Sequence, residues 1–282
     1  MYLCIKFMYS PMNKCSALVV LMLLLVSTDS ANHAVSAIDE NGYKLVFSDE
    51  FNLPDGSCPD STKWSCPPRN AGWNRWTTDS LAVAFIKNGK LVCRAIPNKS
   101  LSTDTAQMLT GAVFTKDKFE FRYGKIEVRM KTNLLIGNFP AAWLRTWPTK
   151  AQPLYSEIDI VEVFGDRKIS SHNAHSQLTT SRRNHGQPNS FNYPCNVTKW
   201  HVYGVIWTSE SIVWTVDGVK VGELRKSADP ALLAEGQWSF DYPLFIILNQ
   251  SVGTGGYDHF MPQTDKTYET QFDWVRVYQK EK

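Results

Sequence analysis

Three carboxylates crowd one short segment, Ser156-Glu157-Ile158-Asp159-Ile160-Val161-Glu162-Val163-Phe164-Gly165. Adjacent acids of this kind can divide the labour of attacking and protonating an acetal, one ionised and the other holding a proton. The β-branched residues between them argue for a strand, where residues two apart share a face. Glu157 and Asp159 then point one way, and Ile158 and Ile160 point into a core. Strict alternation would put Glu162 on the core side, five positions from Glu157. One extra residue absorbed in a β-bulge returns it to the acidic face. Four effective strand steps separate the two Glu Cα atoms by about 13 Å. Side chains leaning inward by roughly 4 Å each leave about 5 Å between carboxyls, the spacing of retaining glycoside hydrolysis. Like charges packed this closely resist joint ionisation, so at least one acid should stay protonated near neutrality. An exposed acidic face paired with Lys or Arg would carry the same residues, and the segment alone leaves both readings open.

The elements that must position these acids read as strand after strand. Short alternating runs recur at Tyr43–Phe47, Leu81–Ile86, Lys90–Ala95, Gly111–Thr115, Gly124–Met130, Ser156–Val163, Tyr203–Trp207, Ile212–Val216, Leu244–Leu248 and Gln271–Tyr278. Asn88-Gly89 and Asp217-Gly218 are hairpin signals. Long helical periodicity, repeats and linkers are absent. The expected fold is all-β, a two-sheet antiparallel sandwich of jelly-roll type. Aromatics make up 12% of the 282 residues, with 10 Trp and 11 Tyr, enough both to fill such a core and to line a sugar-binding cleft.

Bulk properties narrow the class. A net charge of +3 is too small to suggest nucleic-acid binding. Lys6 and Lys14 followed by the apolar run Ala17–Val26 read as a signal peptide over residues 1–31, with Met12 a second candidate start. The run is too short for a membrane span, so a secreted monomer, periplasmic or extracellular, is expected. Of the cysteines beyond this leader, Cys58 and Cys66 close a short loop and are the most natural disulfide; Cys93 and Cys195 would pair or lie buried. Asn98-Lys99-Ser100, Asn196-Val197-Thr198 and Asn249-Gln250-Ser251 are glycosylation sequons.

Glu157–Glu162 resembles the bulged active-site strand of glycoside hydrolase family 16, as in laminarinases and mixed-linkage glucanases. Other segments match that family in order: Val46–Asn52, Lys63-Trp64, Thr110–Val113, Phe121–Arg129, Asn138–Leu144, Trp207 with Asp217-Gly218, Asn249 with Val252-Gly253, and Phe272–Tyr278. The resemblance implies a catalytic domain over residues 38–282, with the substrate cleft on the concave face. It implies Glu157 as nucleophile, Glu162 as general acid/base, and Asp159 hydrogen-bonded to the nucleophile. His175 occupies the place of a histidine on the neighbouring strand. Trp143 and Trp207 look like sugar-stacking residues, and Trp76, Arg75 and Asn249 like further substrate contacts. No cofactor is needed for catalysis, and a structural Ca²⁺ would be held by Glu50, the Gly89 backbone and Asp273.

The implied activity is endo-hydrolysis of β-1,3- or mixed-linkage β-1,3/1,4-glucan. Two departures keep other substrates open. Arg75 stands where laminarinases commonly carry a Glu, and the loop Ser181–Gly186 is basic, either solvated or bordering the cleft. A galactanase (agarase or porphyranase), a transglycosylase and a non-catalytic glucan-binding protein are the alternatives. The two retained glutamates weigh against the last, and Val161 weighs against the second.

Overall fold

The apolar faces of alternating strands must be covered, and here two curved sheets cover each other. The structure is a computed structural model and describes residues 42–69, 76–147, 149, 153–181, 188–253 and 261–280, which lie in one compact unit. One sheet contains β1 (Tyr43–Asp49), β2 (Ala84–Ile86), β3 (Leu91–Pro97), β6 (Gly124–Thr132), β11 (His201–Trp207), β12 (Ser211–Val216), β13 (Val219–Arg225) and β15 (Tyr268–Lys280). The other contains β4 (Met108–Phe114), β5 (Glu120–Phe121), β7 (Asn138–Arg145), β8 (Ser156–Glu162), β9 (Ile169–Ser176), β10 (Ser190–Pro194) and β14 (Leu244–Val252). The strand order β10-β9-β8-β7-β14-β4 continues through a three-residue pairing of β4 with β3 into β3-β15-β6-β11-β12-β13. All strand pairs named here are antiparallel. The only described helices are the single turns α1 (Gln177–Ser181) and α2 (Pro230–Ala234), neither long enough to cross a membrane. The expected all-β jelly-roll sandwich is the fold observed.

Local chemistry explains the turns. Asn88 and Gly89 adopt φ of 52° and 64° between β2 and β3, and Asp217 and Gly218 adopt 49° and 81° between β12 and β13. Positive φ at both central residues is what a two-residue hairpin matching the strand twist requires. Alternation is clean in β6, where Ile126, Val128 and Met130 are buried and the residues between them are partly exposed. It is lost in β7 and β14, whose residues are buried on both faces because one face meets the core and the other the cleft.

Between the sheets, Ile158, Ile160 and Val161 of β8 pack in one cluster with Tyr203, Val205, Trp207 and Trp214 of β11 and β12. Each such side chain contributes roughly 1.5–3 kcal/mol through burial. Trp207 is therefore not a cleft residue. It is 1% exposed, donates its indole N–H to the Phe240 carbonyl at 3.1 Å, and meets Phe121 and Tyr123 edge-on. Counting its position from the cleft acids by motif hid the fact that its strand belongs to the opposite sheet. At one end of the sandwich, a closed polar network ties the sheets instead. Gln250 donates to Asn138 Oδ1 at 2.9 Å and accepts from Thr270 at 2.6 Å, while Asn138 donates to Thr132 Oγ1 at 3.2 Å. Each member finds a partner, which a buried amide demands.

The cysteines also depart from expectation. Cys58 and Cys66 are free thiols, as are the buried Cys93 and the partly buried Cys195, so the short-loop disulfide is not formed. Burial pushes the Cys66 thiol up to about 11, the nearby Cys58 adding to the effect. Asn98 and Asn249 are buried at 6% and 4% and hydrogen-bonded, which leaves Asn196 as the described sequon with partial exposure.

Placing Trp207 in the core predicts a stability effect. Trp207→Ala should lower unfolding free energy by about 3–5 kcal/mol in urea titration, the range for an emptied aromatic site. A selective loss of sugar affinity with unchanged stability would contradict that placement.

Candidate active site

The site begins with a break in the β8 ladder. Against β7, Ala142 pairs with Val161 but Trp143 pairs with Asp159, so Ile160 is the extra residue. Against β9 the register likewise jumps from Asp159–Asn173 to Glu162–Ser171. Ile160 and Val161 both become fully buried, and Glu162 emerges on the face of Glu157 and Asp159. The bulge is pinned by side chains that satisfy its carbonyls. Trp214 Nε1 donates to the Asp159 carbonyl at 2.9 Å, and His172 Nδ1 donates to the Ile160 carbonyl at 2.7 Å. Burial pushes His172 down to about 4, so its ring is neutral at pH 7, with Nε2 left to accept from Ser170 at 2.9 Å. Bulges free ladder groups that must find other partners.

The three acids line a cavity of about 240 Å³ with Phe139, Ala141, Trp143, Arg145, Tyr155, Asn249 and Ser251. Trp143 Nε1 donates to Asn249 Oδ1 at 2.8 Å, which fixes the indole as one wall. Glu157 accepts a hydrogen bond from the Tyr155 hydroxyl, and Glu162 accepts one from Asn173 Nδ2. His175, cross-strand from Glu157, places Nε2 3.4 Å from Asp159 Oδ2 and 3.9 Å from Glu157 Oε1. Asp159 is 3% exposed, and its Oδ2 has no hydrogen-bond partner beyond that ionic contact. The expected bond from Asp159 to the nucleophile is replaced by the one from Tyr155.

These surroundings separate the two glutamates. Burial pushes Glu157 up to about 7 with help from Asp159, while His175, Tyr155 and Arg145 all pull it down. Burial also holds Glu162 well above the usual carboxylate range, with Asp159 and Glu157 adding to the rise and Asn173 alone opposing it. Burial alone would lower His175, but the Asp159 and Glu157 carboxylates outweigh it and push the imidazole up to about 9. Glu157 thus ionises more readily because cations and a hydroxyl surround it. Glu162, with an amide only, keeps its proton. That is the asymmetry a nucleophile and an acid need.

Other expected contacts fall elsewhere. Trp76 packs with Ala95, Met108, Val252 and Tyr268, outside the cavity walls. Arg75 and residues 182–186 of the basic loop lie outside the described residues. Arg276 engages both Glu50 oxygens, at 2.8 and 2.9 Å, and the Asp273 carboxylate is taken by Arg129 and by Lys90 at 3.5 Å. Glu50, Gly89 and Asp273 so arranged do not fit a Ca²⁺ site, since their anionic donors are already neutralised. Glu157, Asp159 and His175 form the described group whose donor atoms, all within 4.8 Å, could surround a metal. A histidine pushed up to about 9 carries a proton where a metal would need a lone pair, so the group fits an ion pair better.

Sequence reasoning passed over Tyr155, Arg145, Asn173, Phe139 and Ser251. The signal was strand parity: Tyr155 lies two before Glu157, Arg145 two after Trp143, Asn173 two before His175 and Ser251 two after Asn249.

An antiparallel jelly roll with paired acids on a bulged cleft strand defines a class of glycan-cleaving folds. Residues 81–275 match the family model described as glycosyl hydrolases family 16, and the chain belongs to that family. It is 33% identical over 241 residues to a keratan-sulfate endo-1,4-beta-galactosidase of Sphingobacterium multivorum, covering 84% of this chain and 55% of that protein. It is 29% identical over 273 residues to the glucan endo-1,3-beta-glucosidase A1 of Niallia circulans, covering 85% of this chain and 38% of that protein. The chain thus spans about half or less of these two relatives. Among solved structures, the laminarinase catalytic domain of Thermotoga maritima superposes with a TM-score of 0.70 at 28% identity, covering 85% of this chain and 99% of that one.

The raised carboxyl pKa values carry a stability consequence. A carboxyl raised in the folded state binds more protons there than in the unfolded chain, so stability falls as pH rises above the unfolded value. For Glu157 that window runs from 4.5 to about 7. Glu157→Gln should therefore stabilise the fold at pH 7.5 by on the order of 1–3 kcal/mol, with the gain vanishing near pH 4. Melting temperatures of the variant at both pH values check this. A gain that is equal at both, or absent, would count against the buried-acid reading.

Proposed function

We propose that the protein is a retaining endo-β-glycosidase that cleaves β-1,3- or mixed-linkage β-1,3/1,4-glucan. The observation that carries the reading is the bulge, which gathers Glu157, Asp159 and Glu162 on one cavity wall in unequal environments. Glu157 attacks the anomeric carbon while protonated Glu162 gives its proton to the departing glycosidic oxygen, forming a covalent glycosyl-enzyme. Glu162, now ionised, takes a proton from water, and the water displaces Glu157 with overall retention. Tyr155 and His175 stabilise the Glu157 carboxylate before attack and after release. Trp143, fixed by Asn249, offers its face to a pyranose ring. Secretion as a monomer, guided by the leader at residues 1–31, fits an enzyme whose polymer substrate lies outside the cell.

A second reading is a β-galactanase acting on a sulfated polymer. Arg145 in the cavity wall favours it, as does the likeness to a keratan-sulfate-cleaving protein.

Product analysis on laminarin, barley mixed-linkage glucan, agarose, porphyran and keratan sulfate separates the two, with NMR following the anomer first formed. Internal cleavage of a glucan with retention supports the main reading; an inverted first product refutes the mechanism. Glu157→Gln and Glu162→Gln should each reduce turnover by about 10³-fold or more while remaining folded. Near-normal activity in either would remove that residue from the chemistry. Deleting Ile160, the extra residue of the bulge, should turn Glu162 toward the core and abolish activity, and an active deletion variant would show that the bulge is dispensable.

A further inference from the structure

A second cavity, of about 580 Å³, opens on the sheet opposite the acids. Lys131 of β6, Glu269 and Gln271 of β15, and Asn133, Thr198 and Thr267 from the adjoining turns line it. Lys131 pairs with Gln271 across the ladder, and their chain neighbours Met130 and Phe272 belong to the core between the sheets. Alternation therefore turns Lys131 and Gln271 outward, on the face of the sandwich away from the acid cleft. Nothing in the glycosidase mechanism uses this cavity.

Its polar side chains hold one another in place and keep bonding capacity to spare. Gln271 Nε2 donates to Glu269 Oε1 at 2.6 Å, and Arg94 Nε donates to Glu269 Oε2 at 2.8 Å. Asn133 Nδ2 donates to the Thr267 carbonyl at 3.2 Å, and its Oδ1 accepts from the Glu269 N–H at 3.2 Å. Among the described residues, Gln271 Oε1 and the Lys131 ammonium have no hydrogen-bond partner. Lys131 Nζ instead lies 4.8 Å from the Trp200 ring centroid, and the Arg129 guanidinium carbon lies 4.9 Å from it. Arg129 and Lys131 project from the same face of β6, so the indole is laid over that face beside the cavity. Trp200 is only half-buried there and keeps surface open to solvent.

A braced aromatic ring bordering fixed donors and acceptors suits a neutral sugar. The C–H face of a pyranose packs on the indole, and its hydroxyls meet the amides, the carboxylate and the ammonium. We infer that this cavity, together with Trp200, is a second, non-catalytic glycan site that holds a neutral stretch of the β-glucan cut in the cleft. This rests on the glucanase reading above and adds where the polymer is held while it is not being cut. The charges favour a neutral occupant, because Arg94 is engaged by Glu269 and Arg129 by Asp273. A polymer cleaved internally is also longer than a cleft of about 240 Å³ can cover, which leaves free chain for the far face. Holding it at two points raises the local concentration of cleavable bonds without any new contact in the cleft.

The test starts from full-chain Glu157→Gln protein, which can bind without cutting, run in native gels containing laminarin or barley mixed-linkage glucan. Adding Trp200→Ala or Gln271→Ala to it should weaken retention by about fivefold or more, the scale of one lost stacking or hydrogen-bonding contact. In the active protein the same two changes should raise KM for both polymers and leave kcat/KM on laminaritetraose at the native value. Trp200→Phe should recover part of the retention. Thermal melts verify that the variants fold, and Gln271→Ala probes the cavity with Trp200 left in place. Native retention in both Trp200→Ala and Gln271→Ala overturns the inference and leaves the hydrolase reading intact. Retention that depends on these residues for sulfated laminarin alone also overturns it, because the site would then take anions. A native protein that cleaves neither the polymers nor the tetrasaccharide brings down the hydrolase reading, and the inference with it.

Discussion

One inserted residue in β8 governs the geometry of everything around it. Without Ile160 taking up an extra place in the ladder, Glu162 would face the core and two apolar side chains could not both be buried. The insertion breaks backbone pairing, and the freed carbonyls of Asp159 and Ile160 are met by Trp214 from the opposite sheet and His172 from the adjacent strand. The sandwich core is thereby wired to the acid cluster. Trp214 reaches the bulge only because the two sheets pack face to face, so catalytic geometry depends on sheet packing as well as on the strand itself.

The acid cluster is held at a thermodynamic disadvantage. Two glutamates are kept above their ordinary range in a wall where Asp159 repels both, and His175 is the neighbour that offsets part of that charge. Such stored instability is common where function needs a proton in an uncomfortable place. The unequal neighbours matter more than burial, which acts on both glutamates. Tyr155, His175 and Arg145 crowd the Glu157 end, while Glu162 has Asn173. Roles for the two acids follow from these neighbours, independently of any likeness to other proteins.

Much of the architecture was legible because half-buried strands advertise themselves by period two. β6, β12 and both Gly-containing hairpins show it plainly, and the odd spacing of Glu157 and Glu162 implied the bulge directly. The strands that escaped the pattern did so for physical reasons. β9 is polar along its length yet mostly buried, because its side chains bond to the bulge and to β10; β7 is apolar on both faces because cleft and core flank it. Trp207 was misread because a motif gives order along the chain but not which sheet a strand joins. The disulfide was misread for a similar reason: proximity in sequence does not reveal that Cys58 and Cys66 stay free thiols, nor does a motif reveal that Arg276 and Arg129 engage the Glu50 and Asp273 carboxylates.

The central claim is that environment, set by the bulge, makes Glu157 the readily ionised acid and Glu162 the proton holder. The direct measurement is a ¹³C NMR titration of glutamate-labelled protein, with the two carboxyl signals assigned through Glu157→Gln and Glu162→Gln. The account predicts that both titrate above 4.5 and that Glu157 ionises first, near pH 7, with Glu162 following at higher pH. Ionisation of Glu162 before Glu157, or of both in the ordinary carboxylate range, would contradict it.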